Sequence, residues 1–226
     1  MEKLASNFKN TVLVLSGITL FAALALASVY DLTKESIAKA KTSKQLNAIT
    51  EVLPLFHHLA PPMEINDGVE ISKVFKAYDK NNNFIGAAVE SSSNNGYNGS
   101  IVLMVGFDKN ANIVDYSVLQ QNETPGLGAK MLNWFKTDKA NQSVIGKNAA
   151  TANLTVSTDE GEVDAITAAT VSSRAFLFAI RNAYYAFSAH QDIKSIVSEK
   201  KVPTVQVPQI DSIAEQNKLE TEGLNQ

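Results

Sequence analysis

Two threonines stand at the entrance to a helix-patterned stretch, in the segment Asp164-Ala165-Ile166-Thr167-Ala168-Ala169-Thr170-Val171-Ser172-Ser173. A threonine at a helix N-cap accepts a hydrogen bond from a backbone N–H two or three residues on, which pairs the Thr167 hydroxyl with the N–H of Thr170. Thr170 then lies in the first turn, where free N–H groups and the positive end of the helix dipole converge and suit a phosphate. Arg174, one turn later, is in reach of the same anion. Capping and close packing call for the same residue types, so the segment alone leaves a plain structural role open beside anion binding.

Other chemistries are excluded by composition. The 226 residues hold no cysteine, which removes disulfides, thiolate zinc sites, iron–sulfur ligation and haem attachment through CxxCH. The three histidines, His57, His58 and His190, do not suggest a metal centre, since an adjacent pair cannot point one way from a strand or helix. A net charge of -3 offers no basic surface for counterion release, so no nucleic acid is expected as partner. Any redox role must rest on an organic cofactor.

The elements that carry these residues follow in order. Between Lys9 and Asp31 no residue is charged, and the run 11–30 is mostly Val, Leu, Ile, Ala and Phe. At ~1.5 Å rise per residue it covers a bilayer core of ~30 Å as one helix, with residues 1–10 as a short segment on the opposite side from the domain. The rival reading is a cleaved secretory signal, because Ala25-Leu26-Ala27 has the small-x-small form of a cleavage site; the apolar run is longer than a usual signal core. Lys3 and Lys9 precede the span and Lys34, Lys39, Lys41 and Lys44 follow it. Counted alone, these place the following domain in the cytoplasm, but long domains translocate whatever their charge, so charge leaves the side undecided. Residues 31–62 are expected to form a helical stalk and linker, with the helix stopping before Pro54.

A domain over residues 63–198 should then be built of antiparallel β-hairpins and helices, giving an α+β fold behind the transmembrane helix. Tyr78-Asp79-Lys80-Asn81-Asn82-Asn83-Phe84-Ile85 and Phe107-Asp108-Lys109-Asn110-Ala111-Asn112-Ile113-Val114 repeat one pattern, a polar turn between alternating apolar runs. They predict two hairpins, residues 69–78 with 84–90 and 100–107 with 113–120. Asp79, Asn81, Asn83 and Glu90 imitate a calcium loop, but Phe84 stands where the sharp turn needs glycine. Residues 91–99, Ser- and Asn-rich with two glycines, read as a loop, as does Glu123-Thr124-Pro125-Gly126-Leu127-Gly128. A short helix around Met131 to Phe135, a strand over 154–157 and an amphipathic helix from about Ala168 to Ala189 follow, the last with Phe176, Ile180, Ala183 and Phe187 on one stripe. Residues 199–226 form a polar tail.

Three segments, taken in order, carry a resemblance. Asp164-x-x-Thr167-Ala168-Ala169-Thr170 resembles the Asp-x-x-Ser/Thr-Gly-Ala-Thr signature of FMN-binding domains flavinylated by ApbE-type transferases. Glu123 to Gly128 resembles the flavin-lining loop of the subunits called RnfG and NqrC, and Gly96-Tyr97-Asn98-Gly99 is similar to the Gly-Tyr-x-Gly segment of the RnfG form. With the anchor ahead of them, the likeness extends to about Ala189. It implies FMN held covalently through a phosphoester to Thr170, with Thr167, Ala168, Ala169, Thr124, Gly126, Leu127, Tyr97, Lys130 and Arg174 around the cofactor. One departure is Ala168, where the family has Gly; alanine suits the first helical position but adds a methyl group, which predicts slower rather than abolished modification.

The resemblance further implies an electron carrier rather than a stand-alone catalyst, a subunit of an Rnf-type translocase that moves electrons between ferredoxin and NAD and pumps Na+ or H+. Its partners would be the other membrane subunits, an ApbE-type transferase and the lipid bilayer, with the domain on the periplasmic side of the inner membrane. A loop rich in Gly and Pro would let the backbone approach the flat flavin ring. The alternatives are an NqrC-like subunit of a Na+-translocating NADH:quinone reductase and a membrane-tethered scaffold without flavin. For single residues, Gly126 and Gly128 could serve only a turn, Tyr97 and Trp134 only the core, and Lys130 only solvation.

Overall fold

The computed structural model describes residues 8–66 and 70–193. Residues 1–7 of the expected cytoplasmic segment, Val69 of the first expected hairpin, the end of the domain past 193 and the polar tail 199–226 lie outside the described residues. The chain divides into two compact units, residues 1–46 and 47–226.

Helix α1, Phe8–Val52, fills the described part of the first unit and enters the second. Its apolar portion is long and apolar enough to cross a membrane, with none of that stretch buried in the protein. Two hydroxyls there are satisfied inside the helix: Thr19 donates to the Ser16 carbonyl at 3.0 Å, and Ser28 to that of Leu24 at 2.8 Å. Self-contained hydrogen bonding is what a lipid environment demands. Past Tyr30 the surface changes to ion pairs along the helix, Lys34 with Asp31 and Lys39 with Glu35. The helix ends at Val52, two residues ahead of Pro54, whose ring disfavours helical geometry in the residue before it.

The second unit is an antiparallel sheet covered on both faces. Its strands are β1 (His58–Leu59), β2 (Met63–Asn66), β3 (Ile71–Tyr78), β4 (Phe84–Gly96), β5 (Gly99–Asp108) and β6 (Ile113–Gln120). The order is β1-β3-β4-β5-β6, with β2 also paired to β3. Short α2 (Met131–Trp134) and long α3 (Thr170–Ile193) follow, giving an α+β fold.

Alternation along β5 sends Ile101, Leu103, Val105 and Phe107 into the core formed with Phe176, Ile180, Ala183 and Phe187 of α3. Met104 goes to the opposite face, against Ile49 and Val52 of α1 and Phe75 of β3. Gly106 permits this second contact, because a Cβ there would collide with the Val52 carbonyl.

Three expectations are corrected. Residues 91–95 are not a loop but the end of β4, which pairs with β5 up to a tight Gly96–Gly99 turn. The polar groups find partners: the buried Ser91 hydroxyl donates to the Ala179 carbonyl of α3 at 2.7 Å, the Ser92 hydroxyl donates to Glu70, and Asn182 Nδ2 of α3 donates to the Ser92 carbonyl at 3.3 Å. The expected strand at 154–157 reduces to one bridge, Val156 with Val163, followed by a 3-10 turn over Ser157–Asp159. The helix expected from Ala168 begins at Thr170.

The repeated turns are near-copies. Asp108 Oδ1 accepts from the N–H groups of Asn110 (2.8 Å) and Asn112 (2.9 Å), and Oδ2 from Asn112 Nδ2 (2.8 Å). Asp79 does the same with Asn81 and Asn83. The fourth residues, Asn82 and Ala111, take φ of 62° and 65°. With these carboxylates occupied by N–H donors the calcium likeness ends, and no metal-holding group of three His, Cys, Asp or Glu exists among the described residues.

Burial acts to raise the Asp108 pKa, but the hydrogen bonds from Asn112 and Asn110 outweigh it and hold the carboxyl below its usual value. A carboxyl with a depressed folded pKa contributes stability that is full above the unfolded value and is lost as pH falls through the folded one. Asp108→Ala is therefore expected to cost about 1 kcal/mol at neutral pH, after allowing for solvent screening of this partly exposed group. Denaturant titration at two pH values checks this: the gap from wild type should shrink below the ordinary Asp pKa of about 3.9.

Candidate functional site

The start of α3 is built by a turn rather than by a threonine cap. The Ala169 N–H donates to the Ile166 carbonyl at 2.9 Å, and Ala168 inside that turn has φ +61°. This left-handed geometry costs an L-residue roughly 1–2 kcal/mol and suits glycine. The first helical bond runs from Ser173 N–H to the Ala169 carbonyl at 3.0 Å. Ala169 is thus the cap residue and Thr170 the first helical residue. Thr167 is exposed in the turn and does not cap the helix, and Ala168 does not occupy the first helical position.

Ser173 ties this turn to the helix: its Oγ accepts from the Ile166 N–H at 2.9 Å and donates to the Ala169 carbonyl at 3.0 Å. Asp164 fixes the preceding strap: its carbonyl accepts from Trp134 Nε1 at 3.0 Å and its carboxylate from the Asn141 N–H at 3.2 Å.

With the turn closed this way, the N–H groups of Thr170, Val171 and Ser172 have no acceptor among the described residues, and the Thr170 hydroxyl has no partner there either. All three residues line a cleft of about 510 Å³ with Ala168, Ala169, Tyr97, Thr124, Leu127 and Gly128, a volume in the usual range for small-molecule sites. Tyr97 is 71% exposed and Leu127 40% exposed, so the rim presents an aromatic and an aliphatic surface to solvent.

The cleft is closed underneath by Glu123, only 5% exposed. Its Oε2 accepts from Ser172 Oγ at 2.6 Å and its Oε1 from the Asn98 N–H at 3.1 Å. One carboxylate thus joins the β4–β5 turn, the loop after β6 and the first turn of α3. Two glycines make room for it: a Cβ at Gly96 would lie 2.8 Å from Oε1, and one at Gly128 2.7 Å from Oε2. No cation lines the cleft among the described residues.

The structure therefore brings Thr170, Ala168, Ala169, Thr124, Leu127 and Tyr97 together and leaves four other expected residues out. Thr167 and Gly126, the latter at φ +79° in the exposed turn, are absent from the lining. Lys130 is exposed, its N–H bonded to the Leu127 carbonyl at 3.0 Å. Arg174 does not turn to the free N–H groups, because Asp159 holds it through Nε and Nη2, both at 2.7 Å. Those bonds keep the Asp159 carboxyl below its ordinary pKa and push the arginine up. Arg174 borders a separate cavity of about 360 Å³ with Phe178 and Arg181.

Sequence reasoning missed Glu123 and Ser172 as site residues. A carboxylate opening a glycine-rich loop was the available signal for Glu123; its contact with Ser172 is long-range and had none.

Comparison with known proteins bears on the same segments. A family model described as the FMN-binding domain matches residues 96–185, which contain the whole cleft. The chain is similar to the G subunit of the ion-translocating oxidoreductase complex from Aliivibrio fischeri, 29% identical over 198 residues that cover 83% of this chain and 93% of the relative. The protein of the same name from Vibrio cholerae is 30% identical, with 74% and 83% covered. That from Escherichia coli is 32% identical, with 70% and 80% covered.

The backbone at Ala168 generates a stability prediction. Ala168→Gly removes the left-handed penalty but adds unfolded-state entropy, so a net gain of up to about 1 kcal/mol is expected. Ala168→Val, β-branched at the same φ, should lose more than 1 kcal/mol by roughly the same reasoning. Thermal denaturation of the two variants beside wild type checks the order; a valine variant as stable as the glycine variant would contradict the turn geometry.

Proposed function

Because the chain belongs to the family of G subunits of ion-translocating oxidoreductase complexes, we propose that it is a membrane-anchored electron carrier with FMN joined to Thr170 through its phosphate. Electron transport in such a complex follows from the family and from the FMN-binding domain; the ester and its position are our reading.

The observation that carries it is the unpartnered Thr170 hydroxyl beside three free N–H groups, in a cleft formed by the segments that bear the flavin-type motifs. The hydroxyl oxygen is available to bond phosphorus, losing its proton as the flavin phosphoryl group leaves the phosphoanhydride of a donor brought by the transferase, and the N–H groups of Thr170, Val171 and Ser172 can donate to the remaining phosphate oxygens at the helix start. Tyr97 and Leu127 offer flat and aliphatic contact to a ring, while Gly128 leaves room for the Glu123 carboxylate. FMN so bound would supply one- and two-electron chemistry at a surface open to other subunits.

Helix α1 serves as the membrane anchor in this reading. The 63–198 domain works on the extracytoplasmic side, with an ApbE-type transferase making the ester, other Rnf-type subunits exchanging electrons, and Na+ or H+ as the coupled ion.

Peptide mass spectrometry tests the attachment. Flavin should map to the fragment containing Thr170 in wild type, disappear in Thr170→Val, which removes the hydroxyl oxygen but keeps the shape, and persist at a lower yield in Thr170→Ser. Thr167→Val should retain it fully, since Thr167 neither caps α3 nor lines the cleft. Flavin on Thr167 or Ser172, or a wild-type chain lacking it, would contradict the proposal, the latter favouring a flavin-free scaffold.

Sidedness has its own test, made simple by the absence of native cysteine. In Lys80→Cys, at an exposed hairpin turn, a membrane-impermeant maleimide should label intact inner-membrane spheroplasts. Labelling only after the membrane is opened would put the domain in the cytoplasm.

A further inference from the structure

Phosphate sites usually gather positive charge, and this one does the reverse. The groups that face a phosphate at the start of α3 are uncharged N–H donors, the expected cation Arg174 is held by Asp159, and the one ionisable carboxylate in the lining is Glu123. Glu123 is buried, and Ser172 Oγ, in the first turn of α3, bonds it at 2.6 Å. A phosphate on Thr170 would sit on that same turn, where the two negative charges repel through a medium less polarisable than water. The carboxylate also uses part of the favourable dipole field that the helix start offers an anion.

We infer that Glu123 acts as a charge filter: it disfavours flavin phosphate held only by noncovalent contacts, so that retention of the cofactor depends on the ester to Thr170. This rests on the reading of the site above and adds what nothing in that reading requires, namely that the apo site should be a poor receptor for free FMN. The bonds from Ser172 and the Asn98 N–H, together with the space left by Gly96 and Gly128, keep the carboxylate in this position. Glu123 thereby positions and selects without touching the reacting atoms.

The test uses the full chain, purified in detergent from cells lacking the transferase, with FMN and riboflavin as probes followed by flavin fluorescence. Riboflavin has the ring but no phosphate, so it reports everything except the charge effect. Glu123→Gln is expected to bind FMN on the order of ten-fold more tightly than wild type, as for one modest charge repulsion removed, with riboflavin unchanged. Thr167→Val, at an exposed residue outside the cleft lining, should leave the ratio of FMN to riboflavin affinity near the wild-type value.

Equal FMN affinity in wild type and Glu123→Gln, or equal tightening of riboflavin, would overturn the inference. A wild-type chain that stays unmodified when produced with the transferase would instead overturn the covalent reading, a separate result obtained from its mass.

Discussion

The cleft exists because one carboxylate is buried where three chain segments meet. Taking a charged carboxylate out of water costs several kcal/mol unless its oxygens are matched by donors, and Glu123 is matched by a hydroxyl from α3 and a backbone N–H from the β4–β5 turn. Loss of either partner would leave charge uncompensated in the interior, which makes the spacing of the segments stringent. Gly96 and Gly128 follow from the same requirement, since any side chain there would enter the space of the carboxylate oxygens. The fold places three motif-bearing segments in contact, and this interaction sets how closely they meet.

Further from the cleft, the same logic of close approach recurs. The sheet accepts α3 on one face through Ser91, whose hydroxyl bonds the helix backbone directly, and accepts the end of α1 on the other through Gly106. Phe135 stacks on Phe176 with centroids 4.3 Å apart, and Tyr116 reaches the Met131 carbonyl at 2.6 Å, so α2 and the loop before it are fixed to the helix that begins at Thr170. Lys136 bonds Asp115 of β6 and Glu51 of α1. The start of α3 is therefore held from behind, while its unpaired N–H groups face the cleft.

Much of this was legible in residues whose effect is local. The Asp-x-Asn-x-Asn turns announced their hairpins because each aspartate bonds residues two and four ahead of it, and the Phe176, Ile180, Ala183 and Phe187 stripe announced a buried helix face. What could not be read depended on partners distant in sequence. The Ser and Asn residues at 91–95 suggested a loop because the helix carbonyl that accepts from Ser91 lies far along the chain. Thr167 had the right type for a cap, but a turn with Ala168 at positive φ moved the helix start two residues on, and Ser173 ties that turn to the helix without capping it. Arg174 was placed correctly on the helix, yet Asp159 claims it.

Ala168 connects the stability of the fold to the proposed modification. Where glycine would enter the left-handed region freely, alanine is held there by the Ile166–Ala169 turn and the bonds of Ser173, and this conformation leaves the hydroxyl of Thr170 unpartnered. A flavin tied at that hydroxyl would lie in the cleft above Glu123, and electron density for the flavinylated chain tests this most directly. It should run unbroken from Thr170 Oγ1 through phosphate into the space between Tyr97 and Leu127, with Arg174 still on Asp159. Flavin density in the Arg174–Arg181 cavity, or a phosphate joined to any other side chain, would contradict it.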